Sequence, residues 1–297
     1  MRVSMVAAAA FAALVMAGPA GAQSTLERLP LDMKLQLARA GDDEAQRAVG
    51  TAYELGLESV DIDLEEAARW YRQAADQGNV EAQYRLARLL HQGGNGIEAN
   101  AEQAAALYES AARQGHLDAQ HWLGYVYERG EGVEQDGTKA VEWYRQAAEA
   151  GHPVAQNNLG LIFLSGKMVP RNLPRAFELF SQAAAREDHW GLNNLAGMHE
   201  MGWGTQVDRQ RALELYRQAA ELGNPHARKN IARLEAAAEQ ASNQQGGEGM
   251  EPGAMEPGGT NQADGMGDEP QGTDEESDDG LPTVIGPDVE IQELPAE

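Results

Sequence analysis

Side chains that commonly perform catalysis or bind metals are sparse in this 297-residue sequence. It contains 7 His and no Cys, and only His116 and His152 occupy equivalent places, each directly after a glycine at the start of a predicted helix. These two histidines lie one repeat apart, and no further side chain completes a metal site with them. We therefore interpret them as residues that start helices. There is no HExxH, no GxSxG and no glycine-rich phosphate loop. The sequence therefore predicts no catalytic residue, no metal site and no cofactor.

Candidate binding groups recur instead at a regular interval. Arginines fall at one equivalent place in three related segments, and a glutamine follows each of them: Arg72 and Gln73, Arg145 and Gln146, Arg217 and Gln218. Guanidinium groups can hold carboxylates through charge-assisted hydrogen bonds, and amide side chains can pair with a peptide backbone. We expect a partner-binding row here. The alternative is that these are solvent-facing helix positions filled by good helix formers.

A second candidate lies between Ala176 and Gly204, where the pattern departs from itself. Glu187 stands where related segments have glycine, and Trp190 and Trp203 fall in predicted turns. Exposed tryptophan offers a large amphipathic surface, so these residues would form a binding hot spot. The alternative is a degenerate unit whose tryptophans pack against the next one.

The elements that must position these residues are copies of one helix. The segment Ala140–Gly151, AVEWYRQAAEAG, has relatives on both sides. Their fifth residue is a ring, at steps of 37, 36, 36 and 36 residues: Tyr71, Tyr108, Tyr144, Phe180 and Tyr216. A period in this range indicates stacked supersecondary units and not a single globular core.

Each unit is predicted to be a pair of helices. Apolar residues of the segment form one stripe at helical spacing: Ala140, Trp143, Tyr144, Ala147 and Ala148. Gly151 supplies the left-handed residue that ends the helix. A second helix follows at once, in which Gly160 permits close approach of a neighbouring helix.

These residues resemble the Sel-one-like repeat, a relative of the tetratricopeptide repeat. The shared pattern is A..WY..AA..G...AQ..LG..Y..G.GV, and it covers roughly residues 31 to 238 in successive units. The resemblance implies an all-α, right-handed solenoid of about six antiparallel helix pairs over residues 23–240, used mostly as a scaffold for protein–protein contacts. We expect the ring-bearing helices to line the concave wall, which would place the arginine row in the binding groove.

The two ends of the chain differ from the repeats. Residues 1–22 combine Arg2, an apolar run and a small-residue cleavage site, which predicts a secretory signal peptide; the alternative is an uncleaved anchor. Export without cysteines favours a periplasmic or secreted protein. Residues 241–280 predict a disordered acidic linker rich in Gly and Pro. Residues 281–297 regain apolar side chains and predict a short docking segment, unless the whole tail is an inert solubilising extension.

Charge and composition restrict the function further. The formal net charge is −24, and the chain after Ala241 carries 15 acidic residues and no Lys or Arg. Such a protein repels phosphate backbones, so nucleic acid is disfavoured as a partner. We expect a non-enzymatic scaffold or adaptor that binds a protein or peptide of the cell envelope, in assembly or signalling, without membrane insertion after signal cleavage. The alternatives are a peptidoglycan- or carbohydrate-associated binder with Trp190 and Trp203 as stacking platforms, and a hydrolase. The sequence leaves the oligomeric state open.

Overall fold

The computed structural model of the chain describes Leu26 and residues 28–247, with side chains described as far as residue 241. The predicted signal peptide lies outside the described residues. The predicted docking segment and all but the first seven residues of the predicted linker, 241–247, lie outside them as well.

The described residues form twelve α-helices in six consecutive pairs, and no strand is present among them. In chain order the helices are α1 Leu31–Arg39, α2 Asp43–Leu55, α3 Leu64–Asp76, α4 Val80–Gln92, α5 Ala101–Arg113, α6 Leu117–Arg129, α7 Gly137–Glu149, α8 Pro153–Ser165, α9 Leu173–Ala184, α10 His189–Met201, α11 Arg209–Glu221 and α12 Ala227–Gly247. Each helix packs against the next. The predicted all-α solenoid is therefore confirmed.

The odd-numbered helices from α3 to α11 carry the repeated rings and are called the ring-bearing helices; the even-numbered ones are the second helices. Every ring is fully buried: Tyr71, Tyr108, Tyr144, Phe180 and Tyr216. In three units the ring lies on a glycine of the preceding second helix: Gly50, Gly124 and Gly160. A Cβ atom at these glycines would lie 2.6–2.7 Å from a ring carbon. The predicted close approach at Gly160 is thus confirmed.

The boundaries of the ring-bearing helices follow from local chemistry. An Asp or Asn caps each N-terminus by accepting a backbone N–H: Asp63, Asn100, Asp136, Asn172 and Asp208. Beyond the C-terminus a glycine takes a left-handed conformation, as Gly151 does at φ +93°. Glu187 adopts the same region at φ +60° without being a glycine, so this turn keeps its shape at the cost of local strain.

A buried glutamine of the second helix joins the two helices of a pair. In four units its Nε2 donates to a backbone carbonyl at the end of the preceding helix, over 3.0–3.3 Å: Gln46 to Ala38, Gln83 to Ala75, Gln120 to Ala112 and Gln156 to Ala148. Each of these carbonyls also accepts the backbone N–H of the glycine that follows the helix, so the glutamine is its second donor.

The last helix, α12, continues to Gly247, past the predicted end of the solenoid at residue 240. None of the described helices is both long and apolar enough to cross a membrane.

Candidate protein-interaction surface

The predicted arginine and glutamine row is exposed at all six positions: Arg72, Gln73, Arg145, Gln146, Arg217 and Gln218. Arg217 already forms an ion pair, because its Nη2 lies 2.8 Å from Oε1 of Glu235. Neither Arg72 nor Arg145 has a hydrogen bond or ion pair within the part of the chain that the structure describes. Two of the three guanidinium groups are therefore available to a partner.

Arg72 also borders a cleft of about 400 Å³ between α3 and the loop after α4. Leu90, Ile97 and Asn100 line its other side. This loop is one residue longer than its later equivalents, which explains why the first repeat step is 37 residues and the later ones are 36. The 37-residue first step is the sequence feature that could have indicated this cleft.

The second helices are linked directly to one another by a chain of buried amide side chains. The bonds between units join His121 to Asn158, Asn157 to Asn194 and Asn193 to Asn230, at 3.2, 2.8 and 3.0 Å. Helices α8 and α10 also touch directly. No comparably close pair of ring-bearing helices occurs among the described residues.

Helices on the inner side of a curved stack lie closest together, so we infer that the second helices line the inner wall. This inference differs from the expectation that the ring-bearing helices line it. Arg72, Arg145 and Arg217 lie on the opposite helix layer. The periodicity of the sequence identifies which residues contact a neighbouring unit. It does not show which of the two helix layers lies on the inner side of the curve.

The second helices carry a cluster of half-buried rings that we call the inner aromatic patch: His91, Trp122 and Tyr125, with Arg88 beside them. The Trp122 ring stacks on Tyr108 with a centroid distance of 5.9 Å and an interplanar angle of 7°. It meets Tyr125 and His91 edge-on at 5.5 and 5.4 Å. The patch is thus an ordered aromatic surface built on rigid helices.

The repeat does not need these rings. The place of Trp122 is held by Asn158 and Asn194 in later units, and the place of Tyr125 by Leu161 and Gly197. Sequence reasoning missed the patch because it looked for departures in the least regular unit, whereas this unit keeps the repeated ring, alanines and glycines of the pattern.

Carboxylate contacts hold the patch in place. His91 Nε2 lies 2.9 Å from Glu131 Oε2, and the Tyr125 hydroxyl donates to Glu131 Oε1 at 3.4 Å. Burial, followed by the charge of Glu131, raises the pKa of the Tyr125 hydroxyl, so this group stays neutral and can donate.

The two predicted tryptophans are half-buried, as Trp122 and Tyr125 are. Trp190 lies in the first turn of α10, which corrects the prediction of a turn, and its ring is half-buried between His189 and His226. Trp203 does lie in a turn, where it packs against the core with the Arg171 guanidinium 5.5 Å from its ring centroid. Both contacts favour the packing alternative.

His116 and His152 are helix N-caps, as predicted. The Nδ1 atom of each accepts a backbone N–H, from Ala119 at 3.2 Å and from Ala155 at 3.1 Å. This requires the tautomer with a proton on Nε2, and that nitrogen contacts Glu81 or Asp118 of the preceding unit at 3.0 Å. The contact with His116 lowers the pKa of the Glu81 carboxyl to about 2. Within residues 28–247 no three such side chains are arranged to hold a metal ion.

His121 is buried in the amide chain, with its ring stacked on His152 at 5.1 Å. Burial lowers the pKa of His121 to about 3; the charge of His152 acts in the same direction and that of Asp118 against it. Its Nε2 accepts from Asn158, which an imidazolium could not do.

We predict that His121→Asn reduces the acid sensitivity of the fold. The unfolded chain takes up a proton on His121 near pH 6.5 while the folded chain does not, so stability falls as pH drops below that value, by about 2 kcal/mol between pH 7 and pH 5. Asn157 fills the equivalent place in the next unit, so asparagine should keep the hydrogen bond. Urea unfolding at both pH values measures the difference, and an equal loss in the two proteins would contradict the assignment.

Comparison with known proteins agrees with this architecture. The Sel1 repeat family matches residues 43–79, 80–116, 117–152, 153–188 and 191–224. A search of curated proteins found no match. Among solved structures, a protective antigen of uropathogenic Escherichia coli with an SLR fold, c5321, is 32% identical with a TM-score of 0.64, over 71% of this chain and 44% of the antigen. The chain thus spans less than half the length of that antigen.

A Sel1 repeat protein from Oxalobacter formigenes is 29% identical with a TM-score of 0.62, over 69% of this chain and 87% of the other. The five matched repeats cover more than half of the sequence, and they start at the second helices described above. This chain belongs to the Sel1 repeat family.

Proposed function

We propose that the protein is a non-catalytic scaffold that binds a protein or peptide partner at the inner aromatic patch. The observation that carries the proposal is the presence of half-buried Trp122 and Tyr125 at positions where other units fold with asparagine, leucine or glycine. Proteins of this family generally serve as protein-interaction scaffolds. Clustered aromatic side chains on rigid helices are typical anchors of such interfaces.

The charges around the patch indicate the kind of partner. The Arg88 guanidinium lies 5.9 Å from the Tyr84 ring centroid, and the half-exposed Arg129 reaches Glu131 only at 3.9 Å. Arg88 borders the Tyr84 ring, and the charge of Arg129 acts on the Tyr125 hydroxyl. A segment that presents an apolar side chain next to a carboxylate therefore fits best. An extended peptide or a helix could follow the wall from unit to unit.

The protein is proposed to act in the periplasm or outside the cell, in an envelope assembly or signalling complex. The support is the N-terminal sequence, with its charged start, apolar run and small-residue cleavage site. N-terminal sequencing of the exported protein should give a chain that begins at Gln23. Recovery of the intact N-terminus from the membrane fraction would contradict this.

We predict that Tyr125→Leu abolishes most partner capture while the fold stays intact. Leucine is the residue at the equivalent place in α8, so packing should tolerate it. Loss of one aromatic anchor reduces affinity by about thirtyfold, which corresponds to roughly 2 kcal/mol. The measurement is quantitative pull-down from envelope extracts, with thermal melting as the check on folding.

The matched comparison is the double variant Arg72→Glu and Arg145→Glu on the opposite helix layer. It reverses two exposed charges, and we expect it to leave capture unchanged. If the arginine variant lost the partner and Tyr125→Leu kept it, the ring-bearing layer would be the binding face and the present proposal would be wrong.

A further inference from the structure

The turn between α2 and α3 exposes apolar side chains in one place. Leu55, Leu57 and Ile62 are 37%, 45% and 66% exposed. They are half of the six large hydrophobic residues that stand exposed in the described part of the chain. Single exposed apolar residues are common, but a contiguous group marks a contact surface. We call residues 55–63 the acidic turn.

The fold does not require apolar residues there. Leu57 donates its backbone N–H to Ala52 just as Glu131 donates to Val126 in a later unit, so the two positions are equivalent. Ile62 precedes the cap of α3 as Gln135 precedes the cap of α7. The turn between α6 and α7 therefore forms with glutamate and glutamine in place of leucine and isoleucine, while the turn between α10 and α11 has Trp203 and Val207 there.

The conformation of the turn is fixed before any partner arrives. The Ile62 side chain lies against Gly56, where an added Cβ would be 3.0 Å from it. Glu58 and Ser59 both have positive φ, at 57° and 68°, and Glu58 is held by Lys34 at 2.5 Å. A preformed surface loses little entropy on binding.

The charge around the surface restricts its partner. From residue 55 to residue 66 the chain carries acidic side chains and no Lys or Arg: Glu58, Asp61, Asp63, Glu65 and Glu66. A second copy of this chain, with a net charge of −24, would be repelled, and so would the acidic C-terminal segment. Complementary chemistry is an apolar side chain flanked by Lys or Arg.

We propose that the acidic turn is a second docking surface, distinct from the inner aromatic patch, for a protein segment that presents leucine-type side chains beside Lys or Arg. Leu57 and Ile62 provide the apolar contact, and the exposed Asp61, next to Ile62 in the chain, provides a carboxylate. The scaffold then joins two partners of opposite charge.

The test is a fluorescence anisotropy titration of the full-length protein with a labelled amphipathic model peptide of Leu and Lys. The variants Leu57→Glu and Ile62→Gln copy residues that the turn between α6 and α7 already uses. Each should weaken binding about tenfold, which corresponds to about 1.4 kcal/mol. Leu57→Glu adds a negative charge, so an attraction that was only electrostatic would instead become tighter, and that result would overturn the proposal.

Val207→Gln is the matched control, because Val207 is 59% exposed at the place equivalent to Ile62 in another turn. It should leave the titration unchanged, and an equal loss in Val207→Gln would show unspecific binding and overturn the proposal. Sedimentation of Ile62→Gln provides a second check. If this variant converted a dimer of the wild-type protein into a monomer, the surface would join two copies and the proposal would be wrong.

Discussion

A buried aromatic ring lying on bare helix backbone is the contact on which the remaining structure depends. Tyr71, Tyr144 and Phe180 sit on Gly50, Gly124 and Gly160, where a Cβ atom would collide with the ring. This close approach fixes the distance between the two helices in these three units. Ala87 and Ala196 hold the places of the glycines in the units of Tyr108 and Tyr216, where glutamine or asparagine bonds also form. In three units the ring hydroxyl bonds a glutamate of the preceding second helix, Glu54, Glu128 or Glu200. At the corresponding place Tyr108 has His91 and Phe180 has Leu164.

Stacking uses a fixed set of positions in each unit, so the residues that build the fold can be told apart from those that are free for binding. Residues that recur in every unit build the stack, and residues that differ without disturbing it are free for binding. Trp122 and Tyr125 differ on the inner wall, and Leu57 and Ile62 differ in the acidic turn. The inner aromatic patch has Arg88 and Arg129 together with the carboxylate of Glu131, whereas the acidic turn has carboxylates and no Lys or Arg. Such a division suits a scaffold that holds two different partners.

Much of the fold was predictable from the sequence, and the proposed binding surface was not. The stripe around Tyr144, the glycine terminators and the helix-start role of His116 depend on neighbours within one unit, and periodicity reports such neighbours well. The direction of curvature depends on contacts between second helices, such as Asn157 with Asn194, which are 37 residues apart and look like ordinary polar positions. Trp190 drew attention because its unit is irregular, although its ring is packed between two histidines.

Ring stacking makes the units one rigid body, which holds the inner aromatic patch and the acidic turn at a fixed distance from each other. The chain has no cysteine, so an introduced cysteine is the single site that a thiol-reactive spin label can modify. Gln73→Cys on α3 and Gln146→Cys on α7 place two labels at exposed positions. Double electron–electron resonance should give one narrow distance distribution, and Tyr108→Ala, which removes the ring between the labels, should broaden it. A broad distribution in the protein with all its rings intact would contradict the account.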